Sequence, residues 1–294
     1  EKGDQLHFVD SSSEPEVTRI DAFKEAVSAA DSRTPCCVVG IGGGNALDTA
    51  KAVANLLTNP GKAEDYQGWE LVKNPAVYKI GIPTLSGTGS ECSRTCVLTN
   101  IPKNLKLGMN SDYTVYDQLL LDPDLLATVP RDQYFYTGID TFMHCVESLQ
   151  GSYRNAIIDA FSVRAVQLCE EIFLSDDMMS EENREKMMIA SYIGGMAAGN
   201  VGVIHPFSAG LGVVLHVAHG LGNCLALNVL GDIYPKEYKQ FRTMIERQGV
   251  NLPTGICKDL TEEQYEGLYR GCIVHEKPLT NACLLYTSDA ADDL

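Results

Sequence analysis

Forty-five consecutive residues, 187–231, contain no Asp, Glu, Lys or Arg. An uncharged stretch of this length is expected either to cross a bilayer or to pack inside a protein core. Its nine glycines and three histidines argue against a membrane span. We therefore predict two or more helices that are fully buried in a helical domain. Each histidine there needs a polar partner, because stranded polar groups inside a core are costly.

The residues before this run alternate between strand and helix patterns. Apolar runs predict strands at 6–9, 36–41, 77–83 and 119–121. Apolar spacing of three and four predicts helices at 16–30, 46–57, 134–149, 155–173 and 181–199. The continuous apolar run 36–41 is typical of a strand buried in a parallel sheet. These patterns predict an α/β N-terminal domain, residues 1–123, and an all-α C-terminal domain, residues 124–282.

Charge and cysteine usage limit the partners. The chain has 39 acidic residues against 23 Lys and Arg, a net charge of −16, which argues against nucleic acid and anionic membranes as partners. The ten cysteines form no C-x-x-C pair and no disulfide framework. Reduced, mostly buried thiols in a cytoplasmic protein are therefore expected.

Both ends of the sequence are unusual. The chain starts at Glu1 rather than Met, and residues 283–294 resemble a translated sequencing adapter. We expect a fragment of a longer protein, with a C-terminal domain that is truncated near residue 282 and a non-native tail after it.

A glycine loop follows the predicted strand 36–41. Gly42, Gly43 and Gly44 free the backbone to present several N–H groups beside a helix start, an arrangement that favours a phosphate, for example the pyrophosphate of a dinucleotide. The alternative is a plain strand-to-helix turn without a ligand. Asn45 and Asp48 have the spacing of a cap and the third helical residue, so Asp48 either belongs to the cofactor site or caps the helix.

A second loop, Pro83 to Glu91, follows the next strand and is rich in small hydroxyl and glycine residues. Its candidate contacts to a cofactor are Thr84, Ser86 and Thr88. The two loops are predicted to form two edges of one nucleotide crevice at the carboxyl ends of the strands.

Four side chains form a candidate metal site. Asp140 and His144 are four residues apart and share one face of a helix. His205 and His219 are 14 residues apart, roughly 20 Å along a straight helix, so the chain must turn between them. The residues that permit this turn are Pro206, Gly210 and Gly212. Three imidazoles and a carboxylate suit Fe²⁺ or Zn²⁺ rather than Ca²⁺ or Mg²⁺.

These motifs, in chain order, resemble those of the group III, iron-containing alcohol dehydrogenase family. The matching segments are the glycine loop with Asp48 and Lys51, the second loop 83–91, Lys106 before the last sheet strand, and the segments 137–147 and 205–220. The resemblance implies a nucleotide-binding domain and a helical metal domain of the dehydroquinate synthase-like type. It implies a cleft between them that holds NAD(P) and a divalent metal, Fe²⁺ before Zn²⁺, on Asp140, His144, His205 and His219. Lys106 would contact the cofactor or take part in catalysis.

The chain departs from the family pattern in two places. Many members have a further His four residues after the third metal ligand, where this chain has Ala209; His216 is the candidate replacement in catalysis. The strand that reads the adenine ribose in the family would precede Glu1.

Three stretches, 107–117, 132–138 and 144–149, are similar to the 3-deoxy-α-D-manno-octulosonate 8-oxidase branch of the family. This similarity implies oxidation of the C8 hydroxyl of an acidic eight-carbon sugar for lipopolysaccharide. Lys106, Arg94 and Arg154 are the candidates to bind its carboxylate.

Several alternatives stay open. They are an NAD-dependent alcohol dehydrogenase for another small alcohol, dioxygen as the acceptor, an inactive paralogue that binds metal or nucleotide, and a lyase of the dehydroquinate synthase type. A homodimer is the assembly considered.

Overall fold

The computed structural model describes residues 14–282. The predicted strand 6–9 and the tail 283–294 lie outside this part. The N-terminal elements are α1 (Val17–Ala30), β1 (Val38–Gly42), α2 (Gly44–Leu56), β2 (Gly68–Trp69), β3 (Lys79–Pro83), β4 (Thr95–Asn100), β5 (Leu105–Asn110) and β6 (Gln118–Leu119). The C-terminal helices are α3 (Arg131–Gln150), α4 (Ala156–Phe173), α5 (Glu181–Gly195), α6 (Ile204–Leu215), α7 (His219–Val229), α8 (Pro235–Gln248), α9 (Glu262–Ile273) and α10 (Glu276–Asn281).

A parallel sheet of order β1-β3-β6 forms the centre of the N-terminal half. Gly42 at the end of β1 pairs with Pro83 at the end of β3, so both predicted loops leave the same sheet edge. Helix α2 contacts both strands. The prediction that β1 is buried on both faces is wrong for the described residues, because Val39 and Ile41 are 49% and 61% exposed and no described helix covers that face.

A second sheet, which the sequence analysis did not predict, has the order β2-β5-β4. Strands β4 and β5 form an antiparallel hairpin, and Asn104 in the turn has the left-handed backbone conformation, with φ 46°. Cys96, Leu98 and Met109 from this hairpin pack with Ile20 of α1 and Val53 of α2. This small core fixes the hairpin beside the helix that starts at the glycine loop.

Helix α3 is the centre of the C-terminal half. Each of its residues from Thr137 to Ser148 is buried, because α4, α5 and α7 pack around it. The core contains edge-to-face aromatic pairs of Phe173 with Tyr134 and Phe135. The fold-class prediction, an α/β N-terminal half and a helical C-terminal half, is confirmed.

The uncharged run 187–231 forms the end of α5 together with α6 and α7. The prediction of several helices is correct, but full burial is not, since Phe207 is 39% and Val229 79% exposed. Within residues 14–282, no helix combines the length and the apolar character needed to cross a membrane.

The chain reverses direction at a different point from the one predicted. Pro206, Gly210 and Gly212 all lie inside the continuous helix α6, and the reversal comes at His216, which has φ 54°. Pro206 is tolerated because the first turn of a helix needs no intrahelical N–H donor. Gly210 instead permits close packing on α9, where a Cβ would lie 2.9 Å from the Leu268 carbonyl oxygen.

Candidate metal and nucleotide site

One cleft of about 490 Å³ is lined by both halves of the molecule. The glycine loop and the hairpin β4–β5 border it on one side, and α3, α6, α7 and the start of α10 border it on the other. Its lining includes Glu14, Gly44, Asn45, Asp48, Trp69, Thr88, Ser90, Lys106, Asp140, His144, His205, Ala209, His219, His275 and Lys277.

Three histidine side chains meet at one carboxylate oxygen in this cleft. The Asp140 Oδ1 atom lies 3.2 Å from Nε2 of His205, 3.4 Å from Nε2 of His144 and 3.5 Å from Nε2 of His219. Candidate ligand atoms of Asp140, His144 and His205 all lie within 4.8 Å of one another. The structure thus brings together all four residues predicted as metal ligands.

The local fold explains this convergence. Asp140 and His144 are neighbours on one face of α3, His205 is the second residue of α6, and His219 begins α7. The left-handed turn at His216 reverses the chain between the last two helices. Two helix starts therefore point histidines at the face of α3 that carries the aspartate.

The site has the chemistry of a divalent metal site. Among the described residues, Asp140 Oδ2 and His144 Nδ1 are buried and have no hydrogen-bond partner. Burial alone would raise the pKa of the Asp140 carboxyl, but His144, His219 and His205 hold it below its usual value. Burial lowers the pKa of His144 and of His219 to about 4. A charged Asp140 carboxylate beside the neutral imidazoles of His144 and His219 provides donors that fit Fe²⁺ or Zn²⁺.

Further polar groups orient these ligands, and the sequence analysis assigned them no role. Glu147 binds Nδ1 of His205 and also accepts the Ile204 N–H at 2.6 Å. This contact turns Nε2 of His205 toward Asp140, as carboxylate–histidine pairs do at metal sites. Burial disfavours a charged His205, yet Glu147 and Asp140 raise its pKa to about 9. The sequence feature that could have identified Glu147 is its spacing, because Glu147 follows His144 by one helical turn.

Two more contacts complete this polar network. Asn223 donates to Asp140 Oδ1 at 2.7 Å, and Ser208 Oγ lies 3.1 Å from Nδ1 of His219. Asn223 follows His219 by four residues on α7, so the same spacing rule would have found it.

The two predicted loops lie side by side at the other end of the cleft. A Cβ on Gly44 would lie 3.0 Å from the Thr88 side chain. Of the residues predicted to bind a cofactor, Gly44, Asn45, Asp48, Thr88 and Lys106 line the cleft. The others, Gly42, Gly43, Thr84 and Ser86, do not line it.

Helix α2 begins at Gly44, two residues earlier than predicted, and Asp48 does not cap it. The Asp48 carboxylate accepts the hydroxyl of Ser90 and, at 2.9 Å, the N–H of Val97. It therefore joins α2 to the second loop and to β4. Fully buried Lys51 makes a similar connection, since its ammonium donates to the Thr95 carbonyl at 2.7 Å and to the Ser93 carbonyl at 2.9 Å.

The two residues predicted to be catalytic lie in different settings. Lys106 lies in β5, lines the cleft, and pairs with Glu14 at 2.6 Å. His216 is exposed at the reversal after α6 and does not line the cleft. This position does not suit the proton-handling role that we predicted for His216. Ala209 does line the cleft, and no histidine replaces it on α6.

The predicted carboxylate-binding arginines also lie elsewhere. Arg94 pairs with Glu70 and Asp112, and Arg154 pairs with Asp159. Neither arginine lines the cleft.

The segment at α10 contributes to the cleft in a way that the sequence did not indicate. His275 and Lys277 both line the cleft. The His275 Nε2 atom is buried without a hydrogen-bond partner among the described residues, and burial lowers the pKa of this imidazole to about 4. No local pattern marked these residues, because α10 is a six-residue helix after a loop.

Comparisons with known proteins give the family. Residues 1–123 match the family described as iron-containing alcohol dehydrogenase, and residues 134–267 match the C-terminal part of the Fe-containing alcohol dehydrogenase family.

Individual relatives agree with this match. Sulfoacetaldehyde reductase of Bilophila wadsworthia is 36% identical over 208 residues, 69% of this chain and 53% of that protein. NAD-dependent methanol dehydrogenase of Bacillus methanolicus is 32% identical over the same shares of the two chains. The chain thus spans about half the length of these relatives.

A solved structure extends the likeness over nearly the whole chain. Sulfoacetaldehyde reductase from Bifidobacterium kashiwanohense, in complex with NAD⁺, superposes with a TM-score of 0.77 and 26% identity. The match covers 96% of this chain and 81% of that one. The predicted oxidoreductase class and iron agree with the family descriptions, and NAD agrees with the names of these relatives. The chain belongs to the iron-containing alcohol dehydrogenase family.

Proposed function

We propose that this protein is a metal-dependent alcohol oxidoreductase that converts a primary hydroxyl to an aldehyde, with a nicotinamide as hydride acceptor. The observation that carries this proposal is the convergence of Asp140, His144, His205 and His219 in the cleft that the two loops also border. A site for a hydroxyl and a site for a dinucleotide would then share one cavity, as hydride transfer requires.

Each part of the cleft has a separate role in this proposal. The four ligands would hold Fe²⁺ or Zn²⁺, and such a cation lowers the pKa of a bound hydroxyl. Gly44, Asn45 and Thr88 would hold the dinucleotide at the start of α2, where backbone N–H groups and the helix dipole favour phosphate. Lys106 would hold the ribose or the substrate, while its contact with Glu14 fixes its position.

We further propose the narrower substrate that the sequence indicated, an acidic sugar such as 3-deoxy-D-manno-octulosonate with its terminal hydroxyl at the metal site. Two facts favour an anionic substrate over a simple alcohol. Lys277 lines the cleft together with the histidines, and one relative is named for an anionic aldehyde, sulfoacetaldehyde.

Metal analysis tests the ligand set. Wild-type protein loaded with Fe²⁺ or Zn²⁺ should hold about one ion per chain, and His205→Ala should lose it, because a ligand and its contact with Glu147 disappear together. His216→Ala is the matched control and should retain the ion, since His216 is exposed and outside the cleft. Full metal retention by His205→Ala would show that the ligand set is wrong.

A turnover assay tests the reaction. Metal-loaded protein with NAD⁺ and a primary alcohol should form NADH, detected by its absorbance. Retained metal with no turnover, with either NAD⁺ or oxygen, would instead favour an inactive binding protein.

A further inference from the structure

A lysine that lines the cleft has an unusual environment. The Lys277 side chain is half-buried, and its ammonium lies 3.9 Å from the centre of the Trp69 ring and 5.9 Å from that of Tyr153. Within residues 14–282, no carboxylate lies within ion-pair distance of Lys277. An ammonium group held against an aromatic face is fixed in place and partly stripped of water.

The other basic groups that we considered for binding a substrate carboxylate already have acidic partners. In the cleft, Lys106 pairs with Glu14 at 2.6 Å. Arg94 and Arg154 pair with acidic side chains outside the cleft lining. Among the described lysines and arginines of the lining, Lys277 is therefore the one without a carboxylate partner.

Lys277 provides a positive charge in a protein that is acidic overall. The chain has a net charge of −16, and acidic residues of the cleft include Asp48 and Asp140. An anionic ligand would be repelled by most of this surface. Burial and the nearby Arg94 lower the pKa of Lys277, so pairing with an anion would stabilise its charged form.

We propose that Lys277 binds the anionic end, a carboxylate or a sulfonate, of a substrate whose primary hydroxyl lies at the histidine cluster. This inference rests on the proposed function and adds the chemical class of the substrate. Trp69 holds the ammonium in place, and the substrate carbon chain spans the cavity between the two sites.

Steady-state kinetics with two kinds of substrate test this assignment. The anionic probes are 3-deoxy-D-manno-octulosonate for a carboxylate and 2-hydroxyethanesulfonate for a sulfonate, and the neutral probe is 1-propanol. The variants are Lys277→Met and Lys277→Arg, with Lys239→Met as the control because Lys239 is an exposed lysine of α8.

Lys277→Met should lower kcat/KM for at least one anionic alcohol by about ten- to hundredfold, the range for a lost charge-assisted hydrogen bond. The value for 1-propanol should change by less than about twofold. Lys277→Arg should retain most of the preference for the anion, and Lys239→Met should match the wild type. The anion that responds identifies the carboxylate or the sulfonate class. Equal losses for anionic and neutral alcohols would overturn the proposal.

A binding measurement separates this inference from the proposed reaction. Calorimetric titration of the metal-loaded protein with 3-deoxy-D-manno-octulosonate and with 2-hydroxyethanesulfonate, without NAD⁺, requires no turnover. Weaker binding of either anion to Lys277→Met than to Lys239→Met supports the role of Lys277 even if no alcohol is oxidised. Equal affinities of these two variants for both anions, or no binding of either anion to the wild type, refute that role even if neutral alcohols are oxidised.

Discussion

Glu147 and Glu91 are two buried carboxylates that differ in their hydrogen-bond partners. Glu147 is buried and holds a histidine ring nitrogen and a backbone N–H, so its charge is compensated. Glu91 is equally buried, but only its Oε1 has a partner, the Ser191 hydroxyl at 2.6 Å, while Oε2 has none among the described residues. Glu91 therefore has a charge that the fold disfavours.

This difference predicts a pH effect at Glu91. Burial raises the pKa of the Glu91 carboxyl above its ordinary value of 4.5. The folded protein then binds more protons than the unfolded chain above pH 4.5, so the contribution of Glu91 to stability decreases as the pH rises through the raised value. Glu91→Gln removes this titration and keeps an acceptor for Ser191. Relative to wild type, the variant should gain unfolding free energy as the pH rises above 4.5, measured by urea denaturation.

The control is the difference in unfolding free energy between wild type and Glu91→Gln at each pH, because this difference cancels the titration of all other groups. Two stability curves that stay parallel at every pH above 4.5 would contradict the raised pKa.

At the scale of elements, glycines in α6 act through packing rather than through flexibility. Gly210 lies where α6 crosses α9, and an added Cβ would lie 2.9 Å from both the Leu268 carbonyl oxygen and the Cys272 sulfur. Backbone atoms cannot move aside without shifting a whole helix. The contact between α6 and α9 thus requires a residue without a side chain.

Gly210→Ala should therefore lower the unfolding free energy by about 1–3 kcal/mol, the usual cost of overpacking, although alanine is the better helix former. Gly199→Ala is the matched control, because nothing lies within 4 Å of a Cβ at that position. Chemical denaturation should show a clear loss for the first variant and a small change for the second. A stabilised Gly210→Ala would mean that the two helices are farther apart than described.

The sequence predicted elements well where one periodic pattern ran for many residues. Helices α3 and α4 were found within three residues of their bounds, because their apolar spacing extends over several turns. The hairpin β4–β5 was missed, since its buried positions include Lys106 and Asn110, which mimic a polar loop. The reversal at His216 was missed too, because the turn was assigned to Pro206, Gly210 and Gly212, although histidine is one of the non-glycine residues enriched at positive φ.

At the scale of the whole molecule, the sequence placed the candidate ligands on separate segments but could not show what holds the two halves together. The glycines of the second loop were interpreted as room for a cofactor. In the structure, a Cβ on Gly87 would clash with the Thr137 backbone of α3, and one on Gly89 would clash with Gly195 of α5. These glycines let a loop of the first half sit directly on helices of the second.

Ser191 of α5 is the polar centre of this contact. Its Oγ accepts the Gly87 N–H at 2.7 Å and donates to Glu91 at 2.6 Å, while Thr141 of α3 donates to the Gly87 carbonyl at 2.7 Å. One hydroxyl therefore bonds both the middle of the loop, at Gly87, and its end, at Glu91.

Ser191→Ala leaves a buried N–H and a buried carboxylate unpaired, so it should lower the unfolding free energy by about 1–3 kcal/mol. Ser148→Ala is the matched control, since Ser148 is also buried but its hydroxyl has no partner among the described residues. Calorimetric titration with NAD⁺ should also show weaker binding to Ser191→Ala, because the loop that carries Thr88 loses its anchor. If both variants unfold at the same denaturant concentration and bind NAD⁺ equally, the loop is held by packing alone.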